Sequence, residues 1–507
     1  MNTKIRTCTI ALSLIALTAI PIQLSAQDNS EKSNHQPRYK LIDLGTLGGP
    51  QSWTYGESTR SLSSDGIVGG LADTATLDPN PIQNPYVVFN DGYLHHGFRW
   101  ENGIKTDLGA LPGFNSSSVF WIDDEGTAVG GSGNGSIDPV TGWTAEHAVL
   151  WKDGHILDLG TLGGRESQAD SINSSGQVVG FAANGVPDSL PSPLGLPGYG
   201  TQQRAFIWRD GVMKDLGTLG GPDAVALLLN DGGQVAGISY VNSTINATTG
   251  LPTTDSFIWE NGLMIDLGSL GGNATYFNWL SQRGEIVGQS NLAGDRTNRP
   301  FLWSRGVLKD LGTLGGDFGN ALWVNEAGVV VGWATNQNNQ ALFAFLWKDG
   351  VMTSLGTLGT DPCSIAWANN ERGDIIGSSS AECNFAGNMS NEHAFLWRDG
   401  KMIDLNDFVS PSSNLTLVEP HYINERGEIT GNGVLPNGDL HGFLLIPCDE
   451  NDDDANTVSD RGTTEPTVSA NAHTSASPAA NRDLTMTVKG RFGRPYTLPL
   501  SRPKPNN

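Results

Sequence analysis

The sequence predicts an all-β fold, a β-propeller of about eight four-stranded blades, with seven blades as the alternative. Three observations lead to this prediction. A phrase of the form FIWRDGVMKDLGTLGG recurs along the chain, a second phrase such as SINSSGQVVG follows each copy, and a lone strand stands before the first repeat. The repeats cover residues 40–447 of the 507-residue chain.

The first phrase predicts a β-hairpin. It reads VLWKDGHILDLGTLGG at 149–164 and FLWSRGVLKDLGTLGG at 301–316. In six copies the Trp and the Asp of DLG are seven residues apart, and a dipeptide such as Asp210-Gly211 lies between them. Because Asx-Gly tolerates positive φ, it favours a tight turn between two short strands.

The second phrase predicts another hairpin. It reads SINSSGQVVG at 171–180, WVNEAGVVVG at 323–332 and YINERGEITG at 422–431, and it occurs eight times in intact or degraded form. Apolar residues on both sides of the Asn-x-x-Gly turn are typical of paired strands. Each repeat therefore holds four short strands, and four strands in about 40–50 residues make one propeller blade.

The two ends of the repeat array complement each other. Residues 39–44 form a fourth strand with no strands before it, and the last repeat, 419–447, has three strands and no fourth. We expect 39–44 to pair with 443–446, because this pairing closes the ring and leaves no open sheet edge.

The flanking segments predict export. Residues 1–26 have the form of a signal peptide, with Lys4 and Arg6 before an apolar run and a cleavage site at Ala26. A polar leader follows at 27–39, and the acidic and polar segment 448–507 is predicted to be a disordered tail. No later segment has the length of a membrane-spanning helix. The mature chain is therefore expected to be secreted and to be extracellular, cell-surface or periplasmic.

The motifs resemble those of a known family. The segment HAFLWRDG at 393–400, with DLGTLGG and INxxGxVVG, is similar to the repeats of the HAF family of extracellular repeats. The resemblance covers residues 40–447. It implies an extracellular setting, and it supplies no catalytic residues to carry over.

Charge and cysteine content narrow the class of protein. The formal net charge is −23, and a nucleic-acid binder needs a basic face, so nucleic acid is excluded as a partner.

Outside the signal peptide the cysteines are Cys363, Cys383 and Cys448. The turn at 370–373 folds the segments of the first two antiparallel, so we predict a Cys363–Cys383 disulfide, with Cys448 lacking an evident partner.

Two sets of repeated polar residues could carry chemistry. The Asp of DLG occurs seven times, either to cap the backbone of the loop that follows or, less favoured, as calcium ligands. A histidine stands shortly before the Phe or Val of the third strand in four repeats, at His96, His147, His393 and His441. Residues on separate blades cannot easily share one zinc ion, so a repeated hydrogen bond to the neighbouring loop is favoured. No cofactor is predicted, and calcium is the alternative.

Three functions are compatible with this fold. The leading interpretation is a non-catalytic propeller that binds a glycan, a protein or a cell-envelope component. The first alternative is an extracellular hydrolase or lyase whose catalytic residues lie on loops, with His95, Glu146 and His147 as candidates. The second alternative is a structural envelope protein.

Variation in loop length indicates where a site would lie. The connections between second and third strands are long in the first four repeats, at 70–97, 131–147, 181–205 and 238–256, and mostly short afterwards. Binding residues concentrate on variable loops held by a rigid scaffold. The predicted contacts are Tyr86, His95, Trp143, His147, Tyr199 and Tyr240; the alternative is that these insertions are surface loops without a role.

Overall fold

The fold is all-β throughout the part of the chain that the structure describes. This computed structural model describes residues 38–448, except 57, 80–90, 114, 196–197, 199, 386–390 and 411–412, and the strands 485–489 and 495–499. Within these residues the helical segments are two 3-10 turns, Gln337–Asn339 and Leu405–Phe408. No helix in the described residues is long and apolar enough to span a membrane. The predicted signal peptide, the leader up to 37 and most of the predicted tail lie outside the described residues.

The strands form eight antiparallel four-stranded units, and a single parallel bridge between Thr254 and Ala274 joins units 4 and 5. The first strands of units 1 to 8 are β2 (Gly48–Trp53), β6 (Ser117–Ile122), β10 (Ser167–Ile172), β14 (Ala224–Leu229), β18 (Gly271–Leu280), β22 (Gly315–Val324), β26 (Cys363–Asn369) and β31 (Thr416–Ile423). The second strands are β3 (Val68–Leu77), β7 (Ala128–Ile137), β11 (Val178–Pro187), β15 (Val235–Ile245), β19 (Ile286–Leu292), β23 (Val330–Asn336), β27 (Ile375–Ser380) and β32 (Ile429–Val434).

The outer half of each unit is the hairpin of the first phrase. The third strands are β4 (Tyr93–Glu101), β8 (Thr144–Lys152), β12 (Thr201–Arg209), β16 (Pro252–Glu260), β20 (Asn298–Ser304), β24 (Leu342–Lys348), β29 (Glu392–Arg398) and β33 (Leu440–Pro447). The fourth strands of units 1 to 7 are β5 (Ile104–Asp107), β9 (His155–Gly160), β13 (Val212–Asp215), β17 (Leu263–Asp266), β21 (Val307–Asp310), β25 (Val351–Gly356) and β30 (Lys401–Asp404).

Unit 8 takes its fourth strand from the beginning of the repeat array. This strand, β1 (Tyr39–Asp43), pairs antiparallel with β33, with Leu41 opposite Leu445. The pairing agrees with the one expected from the sequence. A separate three-stranded sheet joins β28 (Asn384–Phe385) to β34 (Thr485–Lys489) and β35 (Pro495–Pro499), which lie within the predicted tail.

The last glycine of the second phrase is required by close packing inside each unit. A Cβ atom at Gly180 would lie 1.9 Å from the carbonyl oxygen of Gln168 on the first strand. The other seven units repeat this approach, with Cβ-to-oxygen distances of 1.9–2.3 Å at Gly70, Gly130, Gly237, Gly288, Gly332, Gly377 and Gly431. At Gly237 and Gly377 the fully buried Phe of the HAF position also covers the glycine. This is why the phrase ends in glycine.

The Asn-x-x-Gly turns link the units to one another. The side-chain amide of Asn173 donates to the carbonyl of Asn230 in the next unit at 3.1 Å, and the backbone N–H of Ser64 donates to Asp124 at 2.7 Å. Bonds of these two kinds connect seven pairs of consecutive units, including unit 8 to unit 1. The Asn-x-x-Gly turns of these units are therefore joined into one series by hydrogen bonds.

Aromatic side chains from the first strands of four units meet in the interior. The indole of Trp121 stacks on that of Trp279, with 6.2 Å between the ring centroids, and Trp279 stacks on Trp323 with 3.5 Å between them. Tyr422 meets Trp323 edge-on, with a centroid distance of 5.3 Å. These residues belong to units 2, 5, 6 and 8, so units that are distant in sequence share one core.

Candidate acid–base site beside the second ribbon

The long connections of the first four units begin and end as strand extensions. Second and third strands continue to pair beyond the body of each unit, as far as Leu77 with Tyr93, Ile137 with Thr144, Pro187 with Thr201 and Ile245 with Pro252. We call these extensions with their tips ribbons 1 to 4; they comprise the described residues of 74–93, 134–144, 184–201 and 241–252. Pairing satisfies backbone groups that a free loop would leave to solvent.

Each ribbon begins at the same irregularity. The strand register skips at one place in all four, and a side-chain oxygen there accepts the N–H two residues on. The acceptors are Thr74, Asn134, Asn184 and Asn242, at 2.9–3.1 Å. A bulge of this kind bends a strand and turns the chain beyond it in a new direction.

The predicted contact residues differ in whether they are described and in how far they are exposed. Tyr86 and Tyr199 lie outside the described residues. Tyr240 is fully buried, and its hydroxyl donates to the carbonyl of Pro191 at 2.9 Å. His95 is 6% exposed, and burial lowers its pKa to about 4, so its ring is neutral at pH 7. Tyr240 and His95 therefore cannot contact a ligand directly in this structure.

Trp143 and His147 lie on or beside β8 and are partly exposed. The carbonyl of Trp143 accepts the N–H of Asp138, which closes the tip of ribbon 2 at 2.8 Å. His147 Nδ1 lies 2.8 Å from the carboxylate of Asp158, the DLG aspartate of its own unit. Of the four visible contact candidates, these two remain open to solvent.

In three units the histidine of the third strand pairs with the DLG aspartate of the fourth strand. His96, His147 and His441 reach Asp107, Asp158 and Asp43 respectively, with Nδ1-to-oxygen distances of 2.8–2.9 Å. His393 differs and lies 3.6 Å from Asp361. Arg204 takes the histidine position in unit 3 and bonds to Asp215 at 3.0 Å. The pair therefore joins third and fourth strands: the repeated hydrogen bond exists, but its partner is the DLG aspartate and not the neighbouring loop that the sequence suggested.

The DLG aspartate caps the loop that follows it. In six copies one carboxylate oxygen accepts the N–H of the glycine two residues on at 2.7–2.8 Å, and Asp404 accepts from Asn406. Burial opposes ionisation of Asp43, but bonds from His441 and Gly45 outweigh it and lower its pKa. Among the described residues, no three His, Cys, Asp or Glu side chains are placed to hold one metal ion.

Three acidic side chains from three segments come together beside ribbon 2. Glu146 lies on β8 and is partly exposed, Glu166 precedes β10 and is 5% exposed, and Asp138 follows β7 and is 2% exposed. One oxygen of Glu166 accepts the backbone N–H of Glu146 at 2.7 Å. Asp138 is held by the N–H groups of Val140 and Thr141 at 2.9 and 2.8 Å. We call these three residues the acid cluster.

The two glutamates of the acid cluster resist ionisation. Burial raises the pKa of Glu146 to about 7. Burial also raises the pKa of Glu166 to about 8; the N–H of Glu146 works against this rise, and the carboxylates of Glu146 and Asp138 add to it. A carboxyl group that is part protonated near pH 7 can give or take a proton at neutral pH.

Unit 3 has the same kind of carboxylate-to-backbone bond, but a glutamine stands in place of Glu146. Asp223 occupies the place of Glu166 and accepts the backbone N–H of Gln203 at 2.7 Å, and Asp188 occupies the place of Asp138 at the ribbon turn. Gln203 stands where Glu146 stands in unit 2. The backbone bond is thus a structural feature of both units, and the carboxyl group at position 146 is what distinguishes unit 2 from unit 3.

Sequence reasoning found Glu146 as an enzyme candidate and missed its partners. Glu166 and Asp223 both follow Gly-Gly by one intervening residue and precede the first strand. Asp138 and Asp188 both end a long second strand. These recurrent positions were visible in the repeat, but their contact across two units was not.

The disulfide lies away from the acid cluster, in unit 7. Cys363 begins β26 and is fully buried, and it is bonded to Cys383, with 5.2 Å between their Cα atoms. Cys448 is a free thiol.

Comparisons with known proteins show the fold. No family model and no curated protein matches the chain. The acylaminoacyl peptidase of Pyrococcus horikoshii aligns over 76% of this chain and 57% of its own, with 11% identity and a TM-score of 0.37. The β-propeller domain of the trilobed protease of Pyrococcus furiosus aligns over 71% and 98%, with 12% identity and a TM-score of 0.35. The sialidase of Trypanosoma rangeli aligns over 81% and 60%, with 9% identity and a TM-score of 0.28. The chain thus spans little more than half of the first of these enzymes.

These matches correct the leading interpretation of function. The solved structures that the chain matches include peptidases, a sialidase and a gluconolactonase, so nothing in them supports the non-catalytic propeller expected from the sequence. At 9–12% identity and TM-scores of 0.27–0.40, the likeness identifies no particular reaction.

Proposed function

We propose that this chain is a secreted hydrolase in which Glu146 is the general acid. The observation that carries the proposal is the acid cluster: Glu146 is partly exposed, and its backbone is fixed by Glu166 at 2.7 Å. A carboxyl group with a raised pKa is the usual general acid of glycoside hydrolysis. A glycosidic bond is therefore the proposed substrate class.

Glu146 is the member of the cluster that can touch a substrate, because Glu166 and Asp138 are buried. With a pKa of about 7 it is protonated at mildly acidic pH and can donate its proton to the oxygen of the leaving group. A water molecule bonds to the carbon that the leaving group departs from, and the proton that this water releases restores the acid form of Glu146. Glu166 acts through Glu146 and is a positioning residue. Its bond to the backbone N–H fixes β8, and its own carboxyl adds no charge while it stays protonated below about pH 8.

The surroundings of Glu146 fit a substrate with a sugar ring. Trp143 lies three residues before Glu146 at the partly exposed tip of ribbon 2, and a sugar can stack on an indole. Tyr55 belongs to unit 1, and its hydroxyl lies 3.4 Å from the hydroxyl of Ser118 in unit 2. Burial raises the pKa of Tyr55, and the carboxylate of Glu146 adds to this rise. Tyr55 can therefore donate a hydrogen bond and stays neutral at neutral pH.

The test is hydrolysis of a panel of 4-nitrophenyl glycosides and of polysaccharides by the purified chain, between pH 5 and 9. We expect activity that falls as the pH rises through about 7, because the acid must hold its proton. The variant E146Q is expected to lose about 100-fold or more in kcat. The same panel includes esters and peptides, so that another hydrolysed bond is detected.

The chain supplies a matched control for this test. Gln203 is the equivalent residue of the next unit, so glutamine at 146 already has a tolerated counterpart in the fold. The variant Q203A is expected to keep full activity. Full activity of E146Q on any substrate that the wild type cleaves, or no hydrolysis of any substrate in the panel, would overturn the proposal.

We also infer that the eight units close into an eight-bladed propeller and that the chain is exported. The pairing of β1 with β33 and the bond from Asn424 to Ser63 support closure. The disulfide and the N-terminal charge and apolar pattern support export. Mass spectrometry of culture medium and cell fractions tests export: a mature N-terminus at residue 27 outside the cytoplasm is expected.

A further inference from the structure

The base of ribbon 3 brings two carboxyl groups together, a buried one on Asp223 and a partly exposed one on Asp188. Asp188 follows β11 at the ribbon turn, and Asp223 precedes β14 in the next unit and is 2% exposed. One oxygen of each accepts a backbone N–H, from Leu190 at 2.9 Å and from Gln203 at 2.7 Å. Their remaining oxygens, both Oδ2, are buried and have no other hydrogen-bond partner among the described residues.

Ionisation of a buried carboxyl group beside a second carboxylate is disfavoured, because its charge is poorly solvated and its neighbour repels it. A proton on Asp223 lets its carboxyl group donate to the buried Oδ2 of Asp188, so both buried oxygens gain a partner. Asp223 is therefore the group that holds the proton when the ribbon is in this position.

We propose that Asp188 and Asp223 form a proton-dependent clasp that holds ribbon 3 against unit 4 and releases it when the shared proton is lost to solvent. The clasp does not depend on the proposed hydrolase activity. It does lie next to the proposed site, because Gly200 of ribbon 3 packs against Val140 at the tip of ribbon 2.

The charged and titratable groups around the clasp agree with this role. Burial raises the pKa of Asp223 to about 7; the N–H of Gln203 opposes the rise, Asp188 adds to it, and Arg204 reduces it. Arg204 is already paired with Asp215 at 3.0 Å, so it neutralises the clasp only in part. Tyr240 on β15 stays neutral, because burial and nearby groups, including both aspartates, raise its pKa.

Units 5 and 6 contain amide–carboxylate pairs, each between two residues of one unit. In unit 5 the side-chain amide of Asn273 donates to Asp295 at 2.7 Å, and in unit 6 that of Asn339 donates to Asp317 at 2.8 Å. An amide–carboxylate pair needs no shared proton and holds at any pH at which the acid is ionised. The base of ribbon 1 has a second acid–acid pair, Asp73 and Asp91.

The experiment is hydrogen exchange of the full chain between pH 6 and 8.5, with rates corrected for intrinsic exchange and read from peptides of ribbon 3. We expect the protection of residues 184–203 to fall about tenfold over this range in the wild type. Each pH unit above the pKa of Asp223 lowers the equilibrium constant for the closed ribbon by a factor of about ten. The variant D223N, which replaces the acid–acid pair by an amide–carboxylate pair, is expected to show no such fall, and D188N is the second variant in case D223N folds poorly.

The reciprocal variant is N273D. It creates an acid–acid pair with Asp295 and should make protection of the unit 5 hairpin depend on pH, more weakly because Asp295 is partly exposed. Equal protection of wild-type ribbon 3 at pH 6 and 8.5 would overturn the proposal, and so would an undiminished fall in both D223N and D188N. Restoration of wild-type protection at pH 8.5 by 5 mM calcium would identify the pair as a cation site and would also overturn it.

Discussion

Asn424 in the last unit donates its side-chain amide to the backbone carbonyl of Ser63 in the first unit, at 3.2 Å across 361 residues of chain. The same side chain accepts the N–H groups of Arg426 and Glu428 within its own turn. One asparagine therefore shapes a local turn and joins the two ends of the repeat array.

We expect N424A to destabilise the chain by about 1–3 kcal/mol, because it leaves buried turn groups without partners. The measurement is the free energy of unfolding from urea titration. The control is N437A, since Asn437 lies in an exposed turn and bonds only locally to Asp439. If the two variants lose the same free energy, the contact between the first and last units does not stabilise the fold.

The glycine at the end of the second phrase provides a second prediction. An alanine at Gly180 would place its Cβ 1.9 Å from the carbonyl of Gln168, so G180A should cost about 3 kcal/mol or prevent folding. Gly211 has positive φ but open space around it, and G211A should cost only about 1–2 kcal/mol. Thermal melts compare the two, and equal midpoints would contradict the packing argument.

The disulfide of unit 7 should stabilise the folded protein. We expect C383S to lose about 2–4 kcal/mol under oxidising conditions, because an unfolded chain without the cross-link gains entropy. C448S should be neutral, since Cys448 has no disulfide partner. Peptide mapping under non-reducing conditions gives the pairing directly, and alkylation of both Cys363 and Cys383 in the native protein would show that the bond is absent.

Glu166 should make stability depend on pH. Its pKa is raised to about 8 in the folded chain, whereas an unfolded glutamate has a value of about 4.3. The folded state therefore binds the extra proton between these values, and the stability of the wild type falls as the pH rises through this window and levels off above it.

The variant E166Q cannot ionise, so its melting temperature relative to wild type should rise between pH 5 and 8. E125Q is the control, because the side chain of Glu125 is 79% exposed. A constant difference between E166Q and wild type at all pH values would mean that Glu166 ionises normally in the folded chain.

The sequence predicted the fold through features that act locally. Asx-Gly turns, alternating apolar residues and the spacing from Trp to the DLG aspartate each specify a hairpin through backbone conformation and strand period. The lone strand at 39–44 and the incomplete last repeat predicted the pairing of β1 with β33. The capping role of the DLG aspartate also followed from sequence, since the carboxylate and the N–H that it accepts are two residues apart.

What only the tertiary structure decided is which side chains meet across units. Glu146 and Glu166 are twenty residues apart and belong to different units, and Asp188 and Asp223 meet in the same way. Tyr240 and His95 were expected at a surface and are buried, because the long connections continue as paired ribbons that pack on their neighbours. Strand pairing within a unit is set by nearby turns, whereas burial and the pKa of a carboxyl group depend on every unit packed against it.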